Sequence, residues 1–250
     1  MAVLAAPVIA QTAGSTTRML RDTAIGAPAV PLKPPPPRPP AGLELAPGSP
    51  LQRARGHLAD ADVLDALGVR AARRLDLLAQ GLPDDDGCQA ARASWSALAM
   101  AADEAHAQQV TATALLEAVG DEAAYDDADG LAHRLRHLRG EQDRLGPVLR
   151  SGGCEPPSPE RAEPRVFLPD DRRGPRAGRV AIFVRAEPET NVIWVGAQPA
   201  AVLGPAGWAV VVVADGDVAL CAARPEDTAC RAAVAVEASM GAAFELSPAG

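Results

Sequence analysis

Aromatic residues are scarce, at 3% of 250 residues, while hydrophobic residues as a class reach 48%. A core drawn from such a chain is built from Ala, Leu and Val, and its alanine-lined contacts bury little area per residue. Lysine is represented by Lys33 alone, beside many arginines. A net charge of −8 withholds the positive footprint that a general nucleic-acid binder or a binder of anionic membranes needs. No apolar stretch reaches the ~18 residues of a bilayer-spanning helix. There is also no glycine-rich phosphate loop, no Gly-x-Ser-x-Gly, no His-Glu-x-x-His and no Cys-x-x-Cys.

What is present is a helical pattern centred on residues 49–154. Cys88, Ala91, Trp95, Leu98, Ala102, Ala105, Gln109, Ala112, Leu116 and Val119 recur at alternating spacings of three and four, which keeps one seam on one side of a helix. After Gly120 the pattern resumes as Leu131, Leu135, Leu138, Gln142, Leu145 and Leu149. The economical reading is an antiparallel helical hairpin. An earlier helix docks on it to give a three-helix bundle. That helix opens at Ser49-Pro50, an N-cap followed by the favoured first-turn proline, and stops at Gly81 with Pro83 just beyond. Asp126, Asp127, Asp129 and Gly130 fit either the first turn of the third helix or a longer loop.

Residues 1–10 are apolar, and Val8-Ile9-Ala10 before Gln11 has the small-x-small character of a signal cleavage site, although the first charged side chain is Arg18. These residues read as the remnant of a signal peptide, with a processed chain beginning at Gln11. Residues 11–48 form a proline-rich tail carrying Pro34-Pro35-Pro36-Pro37-Arg38-Pro39-Pro40, a polyproline II spacer by composition. The cysteines point the same way as the apolar start. Cys88 and Cys154 lie symmetrically about residue 121, where the hairpin turns, and Cys221 and Cys230 flank Pro225-Glu226. Two such pairs predict two disulfides and an extracytoplasmic chain, secreted or periplasmic; free thiols in a cytoplasmic protein are the competing reading.

Residues 155–164 read as a linker, rich in Pro around Glu160. Beyond it the period changes. Arg165–Leu168, Arg179–Ala186, Asn191–Gly196, Trp208–Ala214, Asp217–Ala222, Cys230–Glu237 and Ala243–Leu246 are short β-type runs. They predict a small antiparallel β domain over 165–250, a sandwich or barrel reached by a meander. Asp215-Gly216 predicts a two-residue hairpin, and the continuous run Val210 to Val213 predicts a central strand. The fold class is therefore α+β.

Candidate chemistry is sparse. Asp129, His133, His137 and Glu141 stand four apart on the third helix, a spacing at which two histidines chelate zinc or copper. They fall on the solvent side of the seam, beside Arg134 and Arg136, where a soluble helix displays polar residues anyway. Arg172, Arg173, Arg176 and Arg179 are a possible anion grip or simply a solvated loop beside Asp170 and Asp171. Trp95 reads as seam packing, and Trp194 and Trp208 as filling of the β core. Val63, Val69 and Leu77 of the first helix lie beside its stripe and predict a face for self-association or a helical partner. The sequence thus predicts a non-catalytic structural or adaptor protein acting through protein–protein contacts, with no cofactor. A ligand- or metal-binding module is the alternative and an unmarked enzyme the third reading.

Overall fold

The structure, a computed structural model, describes residues 48–80, 85–165, 178–187, 190, 192–227, 229–230 and 232–246. The expected signal remnant, nearly all of the tail, and the Arg172–Arg176 cluster lie outside the described residues, as does most of the run Arg165–Leu168.

Three long helices come first: α1 (Pro50–Gln80), α2 (Asp85–Val119) and α3 (Glu122–Ser151). Ser49 caps α1 by accepting from the Gln52 backbone N–H at 3.1 Å, and Asp121 caps α3 by accepting from Ala124 N–H at 3.0 Å. Asp126 to Gly130 are helical, so the turn between α2 and α3 stays at Gly120-Asp121. The heptad positions do what their spacing implies. Ala91, Leu98, Ala102, Ala105, Leu131, Leu138, Leu145 and Leu149 are buried together. A smaller cluster of Leu51, Ala54, Ala112, Leu116, Ala124 and Ala128 closes the other end of the bundle. Arginines of α3 tie it to α1: Arg134 reaches Asp62 at 2.8 Å and Asp65 at 3.2 Å, and Arg144 reaches Asp76 at 3.0 Å.

The chain then runs back along α2 through 155–165. Arg92 Nε donates to the Glu155 carbonyl at 3.1 Å, Glu163 N–H donates to Ser96 Oγ at 3.3 Å, and Arg165 N–H donates to the Ala93 carbonyl at 3.3 Å. Seven strands follow: β1 (Arg179–Ala186), β2 (Val192–Val195), β3 (Gln198–Val202), β4 (Trp208–Ala214), β5 (Gly216–Ala223), β6 (Val234–Ala238) and β7 (Ala243–Leu246). They form a three-stranded sheet in the order β4-β1-β7 and a four-stranded sheet in the order β3-β2-β5-β6.

The two sheets share a core, in which Val180, Ile182 and Val184 of β1 and Val211 and Val213 of β4 meet Ile193, Val218 and Leu220 of the second sheet. The alternate residues, Ala181 and Phe183 of β1 with Trp208 and Val210 of β4, belong to the helical core. The β4-β1-β7 sheet is therefore a middle layer with helices on one face and the second sheet on the other. That is why its strands read as continuous apolar runs.

Several expectations are corrected here. β4 is an edge strand of its sheet, and β1 is the central one. A doubly buried edge strand has the same composition as a central one. Asp215-Gly216 is no hairpin, because β4 and β5 lie in different sheets and Asp215 N–H donates to the Gly178 carbonyl at 3.0 Å. The two-residue turn is Gly196-Ala197, with Val195 paired to Gln198 and Gly196 at φ +59°. The meander is broken as well, since β1 and β7 pair in parallel.

Val63 was expected to face outward. It is buried at 5% exposure, because α1 packs against β1 and β4 as well as α2 and α3. Val69 is half-buried against the same core, and Leu77 alone of the three stays exposed, at 62%.

Candidate functional site

Both cysteine pairs are within disulfide distance. Cys88 and Cys154 bring their Cα atoms to 5.5 Å, and Cys221 and Cys230 to 6.0 Å. The first bridge joins α2 to the chain leaving α3, at the open end of the hairpin, as the symmetry about residue 121 implies. The second forms for a different reason than symmetry. β5 and β6 pair with Leu220 opposite Val234, so Cys230 lies before β6, in the connection. The bridge therefore staples that connection to the sheet. Trp194, directly opposite Cys221 across β2 and β5, packs on it. Trp194 thus sits outside the inter-sheet core, and its Nε1 has no hydrogen-bond partner among the described residues.

The histidine ridge stays open. Asp129, His133 and His137 are exposed on α3, and His133 Nδ1 stands 3.5 Å from an Arg136 nitrogen. Glu141 is engaged by Arg144 through Nε at 3.1 Å and a terminal nitrogen at 2.6 Å. Among the described residues no group of three or more His, Cys, Asp or Glu side chains is placed to hold a metal ion.

An aromatic-lined concavity lies where the sequence offered no motif. Two cavities, of about 400 and 440 Å³, share Glu104 and Val210 in their walls. Both lie between one face of α2 and the edge strands β3 and β4, side by side in the crevice between helix and sheet. At one end Trp95, Met100 and Pro157 face Ala201, Pro205 and Trp208. At the other, His57 and Asp60 of α1 and Gln108 of α2 face Gln198 and Pro199.

The helix period explains the arrangement. Ser96, then Ala99 and Met100, then Asp103 and Glu104 recur three and four apart, so they form one stripe beside the seam, next to the seam residue Trp95. The opposite wall forms because β3 carries Pro199, which cannot donate to a ladder and belongs at a sheet edge. β3 is accordingly exposed, with Val202 at 67% exposure on the crevice rim. Trp208 is nearly buried in the floor, with the Arg185 guanidinium carbon 5.8 Å from its ring centre.

The polar end is held by a relay. His57 Nδ1 donates to Gln108 Oε1 at 2.6 Å, and Gln108 Nε2 donates to Glu104 Oε1 at 2.7 Å. Asp60 pairs with Arg179, the one arginine of the predicted anion grip among the described residues. Burial pushes the Asp60 carboxyl above its ordinary pKa, against the lowering influence of Arg179 and His57. Asp103 is exposed and Glu104 half-buried, so the midpoint of the crevice carries negative charge next to indole and methionine.

Sequence reasoning placed Trp95 in inter-helix packing, and its ring does pack on the helical core beside Gly146 of α3; that Trp95 and Trp208 line one cavity was not foreseen. The stripe of Ser96, Met100 and Glu104, offset from the seam by one residue, was the available signal. Comparison with protein-family models, curated proteins and solved structures finds no match for this chain. Among the described residues no helix is long and apolar enough to cross a membrane.

Proposed function

We propose that this chain is a non-catalytic, extracytoplasmic adaptor that receives an extended polypeptide segment in the crevice between α2 and the β3/β4 edge. The carrying observation is the lining: two tryptophans and a methionine along a groove whose middle bears Asp103 and Glu104. Apolar rings with a few placed charges recognise an extended chain without a catalytic group. The non-catalytic reading is supported by the local polar groups. His57 is turned to Gln108, and Ser96 Oγ donates to the Arg92 carbonyl at 3.0 Å. The extracytoplasmic reading is supported by both cysteine pairs, which persist in an oxidising compartment.

Crosslinking in the natural host, with the tagged full-length chain, tests the reading. Crosslinks from a partner should map to the crevice walls and disappear in Met100→Glu with the circular dichroism unchanged. Partner crosslinks that map elsewhere and survive Met100→Glu reject it. A ligand-binding module is the second reading, favoured by cavity volumes within the range of small-molecule sites.

A further inference from the structure

We propose that the cavity walled by Trp95, Met100 and Trp208 with Asp103 and Glu104 is an arginine pocket, which takes one arginine side chain of the polypeptide received by the crevice. The inference rests on the adaptor reading and adds the side chain that is read.

Charge is the first argument. Among the described residues the cavity wall carries two carboxylates and no lysine, arginine or histidine. Neither carboxylate forms an ion pair with a described residue, whereas Asp62, Asp65, Asp76 and Asp121 each face an arginine. Unmatched carboxylates beside two indoles attract a cation. The attraction is the stronger because Glu104 is half-buried, where water and salt screen it less.

The form of the cation is the second. An ammonium is compact and strongly hydrated, so it gives up much to enter an indole-lined wall. A guanidinium is planar and more weakly hydrated, stacks on an indole face, and offers a fork of N–H donors that neighbouring carboxylates can share. Trp208 already accepts this group, since the Arg185 guanidinium carbon stands 5.8 Å from its ring centre, although Arg185 is no part of the cavity wall. Met100 gives the methylene stem an apolar surface, and a charged side chain at that position would hold water against the stem. The cavity volume of about 400 Å³ lies at the lower end of the range for ligand sites, as suits one side chain with its flanks.

Preorganisation is the third. Trp208 belongs to the helical core cluster, and Trp95 and Met100 pack against it. Trp95 is also held at α3, where a Cβ on Gly146 would lie 3.2 Å from its Cη2. Gln108 Nε2 fixes Glu104 Oε1 at 2.7 Å while His57 fixes Gln108 at 2.6 Å, which leaves Glu104 Oε2 to the ligand. A wall held in this way loses little freedom on binding.

The test is a calorimetric titration of the full-length chain with the capped pentapeptide acetyl-Ala-Leu-Arg-Leu-Ala-amide. Its citrulline twin keeps the shape without the charge, and its lysine twin keeps the charge without the plane. The arginine peptide should bind at least about tenfold more tightly than the citrulline peptide, and more tightly than the lysine peptide. Asp103→Asn with Glu104→Gln should bring the arginine peptide down to the citrulline level, with circular dichroism confirming the fold. The amide at position 104 still accepts from Gln108, so the relay is kept.

Equal binding of the arginine and citrulline peptides overturns the pocket and leaves the adaptor reading standing. A preference for arginine that survives the double variant places the cation elsewhere and overturns the site. A lysine peptide as tight as the arginine one overturns the stacking argument, and with it the choice of arginine. Binding of none of the three at millimolar peptide overturns arginine anchoring, and the crosslinking result then decides the adaptor reading by itself.

Discussion

Asp60 shows how one side chain at the crevice reports on its surroundings. Its carboxylate is paired with Arg179 yet raised in pKa, so the cost of burial exceeds what the guanidinium returns. A carboxyl whose folded pKa lies above its unfolded one binds its proton more tightly in the folded state. Its stabilising contribution is therefore full below the ordinary value near 3.8 and is lost as pH rises through the raised folded value. Urea midpoints of Asp60→Asn and wild type, taken across acid to neutral pH, should diverge in slope, the variant lacking part of the decline above about pH 4. A steeper decline in the variant would show that Arg179 dominates. Gly207 poses a steric counterpart. Its φ is +75°, and an added Cβ would stand 3.1 Å from the Ala186 carbonyl oxygen. Gly207→Ala should cost about 1–3 kcal/mol in denaturant melts. Gly196→Ala, at φ +59° with nothing within 4 Å of its Cβ, should cost about 1 kcal/mol.

At the scale of elements, Gly68 of α1 leaves room for a leucine of α3: an added Cβ there would lie 2.8 Å from Leu138 Cδ1. Leu138 is itself 1% exposed, so it has little room to yield. Gly68→Val should destabilise by about 1–3 kcal/mol through overpacking, and a Leu138→Ala partner change should recover part of that loss by freeing the space. Simple addition of the two losses would mean the helices separate rather than clash. The helices were legible in the sequence because their information is local: heptad seams, Ser49-Pro50 and Gly120 each act within a turn. Individual strands were legible in part, with β1, β4 and β7 bounded as their residues suggest. Their pairing was not. Gln198-Pro199-Ala200-Ala201-Val202 has no alternation to betray β3, since an exposed edge strand buries neither face. Asp215-Gly216 has hairpin chemistry, and only the register of β1 with β4 sends the next strand to the other sheet. The crevice escaped notice for the same reason. Trp95 and Trp208 are far apart in the chain and come to line one cavity only once α2 has been laid beside β4.

At the scale of the whole molecule, the two cysteine pairs act on different volumes of the same body. Cys154 is 1% exposed and belongs to the core cluster that joins all three helices to Phe183 and Trp208 of the middle sheet. The Cys88–Cys154 bridge closes 66 residues of chain, almost the whole hairpin. In the chain-entropy picture that closure is worth about 4 kcal/mol. Cys221–Cys230 closes 9 residues and is worth about 2.5 kcal/mol in the same picture. Its cluster, with Trp194 and Ala223, is separate from the helical core. Losses from the two double variants, Cys88→Ala with Cys154→Ala and Cys221→Ala with Cys230→Ala, should therefore add to within about 0.5 kcal/mol when combined. The first should be the larger. The second should also shift Trp194 emission to the red, because its ring loses the cover of the stapled connection. Peptide mapping under non-reducing conditions fixes the premise, and crossed pairs there would void both expectations. If the pairing holds but the second variant proves the costlier, the connection before β6 is anchoring the outer sheet as a whole. The loop-length argument would then give way to one based on packing around Trp194.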